Sequence, residues 1–250
     1  MPGTAPRATP AIEVRDLVKR FRDVTAVNGI SFSVPAGQVC ALLGHNGAGK
    51  TTTLQILLGL TLPTSGTCRI LGHDIVTDRV AALERTNFSA SYTDFPARLS
   101  VREMLRVYAM LYAVPDAAAA VEEVIELFDL DALADRQYRT LSSGQATLAG
   151  LAKSVINRPR VLFLDEPTAM LDPEHAHDTR IVLRRLATEW GTTVLITSHN
   201  MREVERLADR VLFLSNGSLI ADEDPEQLTG RYQAADLEEV FIRLAKEARA

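Results

Sequence analysis

Gln38-Val39-Cys40-Ala41-Leu42-Leu43-Gly44-His45-Asn46-Gly47-Ala48-Gly49-Lys50-Thr51-Thr52 is the stretch whose reading decides the fold. Its first half is a near-continuous apolar run ending in glycine, the pattern of a parallel strand buried on both faces. Its second half matches G-x-x-x-x-G-K-[ST] from Gly44 to Thr51 and opens an expected helix, Lys50 to Gly59. A strand that enters a helix through such a turn is the context in which the pattern is a P-loop. Glycines there let backbone N–H groups from Asn46 to Thr52 wrap a phosphate at the positive end of a helix. Gly44, His45, Asn46, Gly47, Ala48, Gly49, Lys50, Thr51 and Thr52 are thus the candidate phosphate-binding residues. Lys50 is expected to reach the β- and γ-phosphates of a nucleoside triphosphate, and the Thr51 hydroxyl to ligate Mg²⁺. The competing reading is a glycine-rich turn with an incidental lysine.

Outward from this stretch, Ala11–Val14, Ile30–Val34 and Thr67–Leu71 read as strands, and residues 1–10, with three prolines, as a flexible tail. From about Ser100 the spacing turns helical. Ser100-Val101-Arg102-Glu103 is a capping box opening a helix through Leu111, and Asp116 starts a second helix with Val121, Val124, Ile125 and Phe128 on one face. The α/β alternation resumes with the strand at Val161–Leu164, a helix through Trp190, the strand Thr193–Thr197, a helix through Ala208 and the strand Arg210–Leu214. This order predicts a doubly wound, mostly parallel sheet that binds ligands at the carboxyl ends of its strands. Asp236 to Ala250 reads as an amphipathic helix.

Two adjacent carboxylates, Asp165 and Glu166, follow a strand too apolar to lie at a surface. One charge there is explicable, whereas two call for a cation or a reaction. Asp165 is the natural outer ligand to Mg²⁺, and Glu166 is placed to orient or deprotonate an attacking water. The alternative is a pair of exposed turn carboxylates, since Pro167 makes this a turn. His175 and His177 are close in sequence but lack further ligands and read as a solvated helix face.

With 46% hydrophobic and 24% charged residues in 250, the chain is globular and not disordered. Lysine and arginine total 27 against 32 acidic residues, a net charge of −5 that provides no overall positive field for nucleic acid. The first ten residues lack the apolar core of a secretory signal. No run approaches the ~18 apolar residues of a membrane span; Met104–Val114 is short and holds Arg106. A membrane role is therefore expected to come through a partner. Cys40 and Cys68, with no CxxC spacing, read as buried thiols in a reducing compartment.

Leu141-Ser142-Ser143-Gly144-Gln145 precedes an expected helix, Ala146 to Ile156, and taken alone is an N-cap. In order with the P-loop before it and Asp165-Glu166, Ala169-Met170-Leu171-Asp172 and Thr197-Ser198-His199 after it, the set resembles the nucleotide-binding subunit of ATP-binding-cassette transporters. The resemblance covers about Ile12 to Leu244. It implies a P-loop NTPase fold, RecA-like, with an N-terminal antiparallel β subdomain. Its domains would be an ATPase domain over 11–230, a helical subdomain inserted at about 96–156, and a C-terminal helix over 231–250. Adenine would stack on Phe21, 23 positions before Gly44, with Val27 packing beside it; a core phenylalanine is the other reading. Two subunits would face head to tail, so that Ser142, Ser143, Gly144 and Gln145 of one close over the γ-phosphate on the other's P-loop. Asp172 would join the two sites, and His199 would contact the γ-phosphate and hold the water with Glu166.

The chain departs from the pattern in three places. The glutamine that ligates Mg²⁺ just before the helical insertion is replaced by Ser91, which has shorter reach; the first signature glycine is Ser143; and Ala146-Thr147-Leu148 stands where basic residues are common. The implied partners are a membrane-spanning permease, docked near Ser91–Phe95 at the cytoplasmic face of the membrane, and a second ATPase subunit, with a homodimer expected. Ala235–Phe241 resembles the tails of the exporter-type branch. A DNA-maintenance or translation cassette is the alternative. Ninety positions separate Thr51 from Leu141 without sustained heptads, and the chain is acidic, so both features disfavour it. A non-hydrolysing ATP-binding module is a third reading, opposed by Lys50, Glu166 and His199.

Overall fold

The computed structural model describes residues 9–90 and 95–247. The elements in chain order are β1 (Ile12–Phe21), β2 (Val24–Val34), β3 (Val39–Gly44), α1 (Lys50–Leu57), β4 (Ser65–Ile70), β5 (His73–Asp74), α2 (Arg79–Glu84) and β6 (Thr86–Ala90). There follow α3 (Val101–Leu111), α4 (Ala117–Leu127), α5 (Ser143–Val155), β7 (Val161–Asp165), α6 (Pro173–Glu189) and β8 (Thr193–Thr197). The chain closes with α7 (Met201–Leu207), β9 (Arg210–Ser215), β10 (Ser218–Glu223), α8 (Pro225–Tyr232) and α9 (Leu237–Glu247). Two compact units are formed, Met1–Glu84 with His199–Ala250, and Arg85–Ser198.

In the first unit, an antiparallel sheet runs in the order β2-β1-β4-β5. Separately, β3 pairs in parallel with β9, from Cys40 opposite Arg210 to Gly44 opposite Leu214. All six residues of β3 are buried, which is why its sequence shows no polar alternation. The β9–β10 hairpin turns on Asn216-Gly217, both at positive φ (48° and 78°), the geometry a two-residue turn needs to match strand twist. That dipeptide was the available signal for β10, which the apolar pattern does not announce. The expected parallel sheet thus gains an antiparallel strand. β1 and β2 also run further than the apolar pattern indicates, to Phe21 and from Val24, because they pair with each other through a tight turn at Arg22-Asp23.

In the second unit, β6, β7 and β8 are parallel and in register, so Ala90, Asp165 and Thr197 lie side by side at their carboxyl ends. β6, read from Thr86-Asn87-Phe88-Ser89-Ala90, carries too many polar residues to be recognised as a strand by periodicity. The capping box at Ser100 is formed: its hydroxyl accepts from the Glu103 N–H, and the Glu103 carboxylate accepts from the Ser100 N–H. α3 buries Val101, Met104, Leu105 and Ala109 and leaves Val107, Met110 and Leu111 exposed. α5 begins at Ser143, three residues earlier than expected, so the Ser142–Gln145 motif forms the cap and first turn of the helix.

Both cysteines are buried and free, and burial pushes the Cys68 thiol up to about 12. Among the described residues, no helix is long and apolar enough to cross a membrane. The α3 cap supplies a direct test of local energetics. Ser100→Ala removes one side of the box and is expected to cost about 1 kcal/mol in urea denaturation, with nucleotide binding unaltered.

Candidate functional site

The P-loop is built by close backbone approach. At Gly44 (φ 155°) a Cβ would lie 2.5 Å from the Leu214 carbonyl oxygen and 2.8 Å from the Ala48 Cβ. At Gly49 (φ 107°) a Cβ would lie 2.5 Å from the Ala26 carbonyl oxygen. Gly49 is also the N-cap of α1 and offers no side-chain cap, leaving the amides of the first turn open to a ligand. The loop is pinned by hydrogen bonds from Ala48 N–H to His45 O (3.0 Å) and from Gly217 N–H to Ala48 O (3.1 Å). It encloses, with Val24, Thr25, Ala26 and Asn216, a cavity of about 540 Å³ lined by every residue from His45 to Thr52. The Lys50 ammonium folds over the loop, donating to Gly44 O at 2.6 Å and His45 O at 3.3 Å. Thr53 spends its hydroxyl on Gly49 O, whereas Thr51 is exposed in the same turn.

Neither Phe21 nor Val27 is among the residues that line this cavity. Phe21 is 47% exposed, not a core residue, and Lys19 Nζ stands 4.6 Å from its ring centroid. Val27 is fully buried and does not line the cavity; Val24, Thr25 and Ala26, further up β2, form that wall. The alternation of strand side chains turns Val27 inward, a register that sequence position alone does not specify.

In the second unit, the carboxyl ends of β7 and β8 hold both carboxylates. Thr197 Oγ1 donates to Asp165 Oδ1 at 2.5 Å. The Glu166 N–H donates at 3.2 Å to both the carbonyl oxygen and Oγ1 of Thr197. These bonds hold Glu166 at φ 53°, a left-handed conformation costing a non-glycine residue about 1–3 kcal/mol. Sequence reasoning missed this role of Thr197, whose hydroxyl positions both acids. Among the described residues, no cluster of three His, Cys, Asp or Glu side chains suits a metal. A cation at Asp165 would depend on hydroxyl, water and phosphate oxygens for its remaining ligands, which is how Mg²⁺ is usually held and Zn²⁺ is not.

Ser142 caps α5 in a second capping box: its Oγ accepts from Gln145 N–H at 3.2 Å, and Gln145 Oε1 accepts from Ser142 N–H at 3.1 Å. Gly144 lies so close to Met170 that a Cβ would come within 3.1 Å of its carbonyl oxygen. Ser143 is the first residue of the helix. Asp172 caps α6, accepting from the amides of Glu174 and His175 at 3.1 Å and from His175 Nδ1 at 2.6 Å; the His175 backbone bond leads in holding its carboxyl below the usual range. His175 is therefore tied to Asp172, while His177 is exposed. His199 is exposed just beyond β8, at the start of the first unit's second segment. Ser91 lies outside the described residues.

The loop geometry makes the substitutions decisive. Gly49→Ala drives a methyl into the Ala26 carbonyl and disturbs the open helix end, and Lys50→Ala removes the ammonium that would meet phosphate. Both are expected to weaken ATP binding in a fluorescence titration. Parental affinity in both variants would disprove this cradle.

The sequence profile of the ABC transporter family matches residues 27–169. Nod factor export ATP-binding protein I of Ralstonia nicotianae is 38% identical over 244 residues, covering 96% of this chain and 75% of that protein. The daunorubicin/doxorubicin resistance ATP-binding protein DrrA of Streptomyces peucetius is 37% identical over 216 residues, 86% of this chain and 65% of that one. Among solved structures, cbiO1 from Clostridium perfringens, part of the ABC transporter complex cbiONQ, superposes with a TM-score of 0.81 at 25% identity, covering 96% of this chain and 98% of that one. With the P-loop cradle, the paired acids and the capped Ser142–Gln145 segment in the order such a cassette requires, the chain belongs to the ABC transporter family, as an ATP-binding and ATP-hydrolysing subunit.

Proposed function

We propose that this chain drives export through a separate membrane-spanning permease, hydrolysing ATP in a head-to-tail pair of ATPase subunits, with a homodimer expected. The P-loop cavity, with Lys50 at its mouth, is the observation that carries the reading. In this mechanism the residues Gly44 to Thr52 bind the triphosphate, and Phe21 stacks on the base, worth about 1–3 kcal/mol by analogy with other base–aromatic platforms. Thr51 and Asp165 would hold Mg²⁺, with Ser91 as a further ligand, and the ion would supply charge neutralisation at the phosphates. Glu166 takes the proton of the attacking water, and its strained backbone fixes the carboxylate before substrate arrives. His199 contacts the γ-phosphate beside that water. Ser142, Ser143, Gly144 and Gln145 of the second subunit close the site, bringing backbone amides of a capped helix to the phosphate, and Asp172 links the two sites.

The reading extends to a place for the chain. The Ralstonia relative is named for Nod factor export, the Streptomyces one for daunorubicin/doxorubicin resistance, and cbiO1 for membership of a transporter complex. The exposed apolar side chains of α3, Met110 at 66% and Leu111 at 71%, support docking of the permease on the helical subdomain. The chain would then lie on the cytoplasmic face of the membrane.

Glu166→Gln tests the chemistry: steady-state hydrolysis is expected to fall about 100- to 10,000-fold, with ATP binding and ATP-driven dimerisation retained. Hydrolysis at the parental rate would refute the role of Glu166. For the partner, the chain is expected to be recovered from membranes with a multi-span protein, and Leu111→Glu to abolish that recovery. Recovery only with nucleic acid or ribosomes would refute the transport reading.

A further inference from the structure

In the second unit, Lys153 is a half-buried cation that the proposed chemistry does not use. Lys153, near the end of α5, sends its Nζ to Asn87 Oδ1 and to Phe88 O of β6, each at 3.3 Å. It also lies 5.1 Å from the ring centroid of Tyr108 and 5.9 Å from that of Tyr112, both on the α3 side. Tyr112 closes the arrangement by donating its hydroxyl to the same Asn87 Oδ1 at 3.3 Å. Among the described residues, no carboxylate pairs with this ammonium. Burial consequently pushes Lys153 down to about 8, so its charged form is kept at a cost. A methionine would fill a similar volume without that cost, and replacing a buried charge by an apolar residue is often neutral or stabilising. Stability alone therefore does not account for Lys153.

What the ammonium does supply is direction, since its two oxygen acceptors on β6 and two aromatic faces on the α3 side tie α5, which carries it, to both. α5 carries Ser142 as its cap, 11 positions from Lys153 and about 16 Å away at ~1.5 Å per residue. Gly150 faces Ser89, where a Cβ would make ordinary contact with the hydroxyl at 3.5 Å. β6 ends at Ala90, beside Asp165. α3 exposes the apolar side chains on which the permease is proposed to dock.

We infer that Lys153 is a positioning residue: it locks α5 to β6 and α3, so that a load on the α3 surface moves the Ser142–Gly144 segment with it. The inference rests on the proposed head-to-tail dimer. It requires that the ammonium act on site closure without touching nucleotide, because the groups it engages are Asn87 and Phe88 of β6, Tyr108 of α3 and Tyr112 just past that helix.

Lys153→Met and Lys153→Arg in the full chain test it, with dimerisation measured by size exclusion in MgATP on a Glu166→Gln background. Lys153→Met is expected to leave ATP affinity and the thermal midpoint undiminished. It should lower kcat and the ATP-driven dimer fraction by about 2- to 30-fold, the range seen for residues that carry coupling. Lys153→Arg, which keeps charge and reach, should restore both. Tyr108→Leu, which leaves the charge but removes its nearer ring, should shift them in the same direction by less. Parental kcat and dimerisation in Lys153→Met would overturn the inference. So would a joint loss of ATP affinity, melting temperature and kcat, which marks plain packing. If the Glu166→Gln chain itself does not dimerise in ATP, the dimer reading fails first, and this inference with it.

Discussion

The Leu214 carbonyl oxygen stands 2.5 Å from where a side chain at position 44 would begin, and the phosphate cradle depends on that contact. Parallel pairing of β3 with β9 brings the two backbones this close, and only a glycine ends β3 there without pushing the strands apart. The same constraint recurs at Gly49, which lies against the Ala26 carbonyl. With both approaches satisfied, the loop turns, α1 starts with an unblocked N-terminus, and Lys50 curls over the carbonyls of Gly44 and His45. An anion arriving there would meet an ammonium already held at the loop and would compete with two carbonyls for it.

In the second unit, rigidity is concentrated at the acids. Thr197 donates its hydroxyl to Asp165 and accepts the Glu166 N–H through two oxygens. The left-handed Glu166 survives because those bonds, and the buried strands beneath them, over-determine its backbone. These bonds fix the backbone from which the Glu166 carboxylate projects, and so support the role proposed for it. Capping operates similarly at Ser142, where a side chain satisfies the first amides of α5 from one side, keeping the helix end ordered while its outer face remains polar.

Much of this is legible in residues alone. The apolar run into Gly44, the capping box at Ser100, the serine N-cap at Ser142 and the strand at Thr193–Thr197 each carry a local signal strong enough to stand without tertiary help. Where reading falls short, the missing information is long-range. β6 is a strand because it hydrogen-bonds to β7, not because of its polar composition. β10 follows from an Asn216-Gly217 turn that apolar periodicity passes over. Val27 and Val24 are chemically equivalent in the sequence, yet pleat and pairing bury the first and leave the second lining the cavity.

The sequence by itself determined the chemistry available: glycines where backbone must approach phosphate, a lysine and a threonine at the helix start, two acids after a buried strand, and a serine cap before a second helix. These are encoded locally, because turns, caps and buried strands depend on residues a few positions apart. Only the tertiary structure decided that Thr197 directs both acids, that Val24 to Ala26 rather than Val27 wall the nucleotide cavity, and that Lys153 sits between two tyrosines and a strand. Each of those depends on strand register or helix packing between residues distant in the chain, and desolvation and close contact act on that arrangement rather than on sequence order.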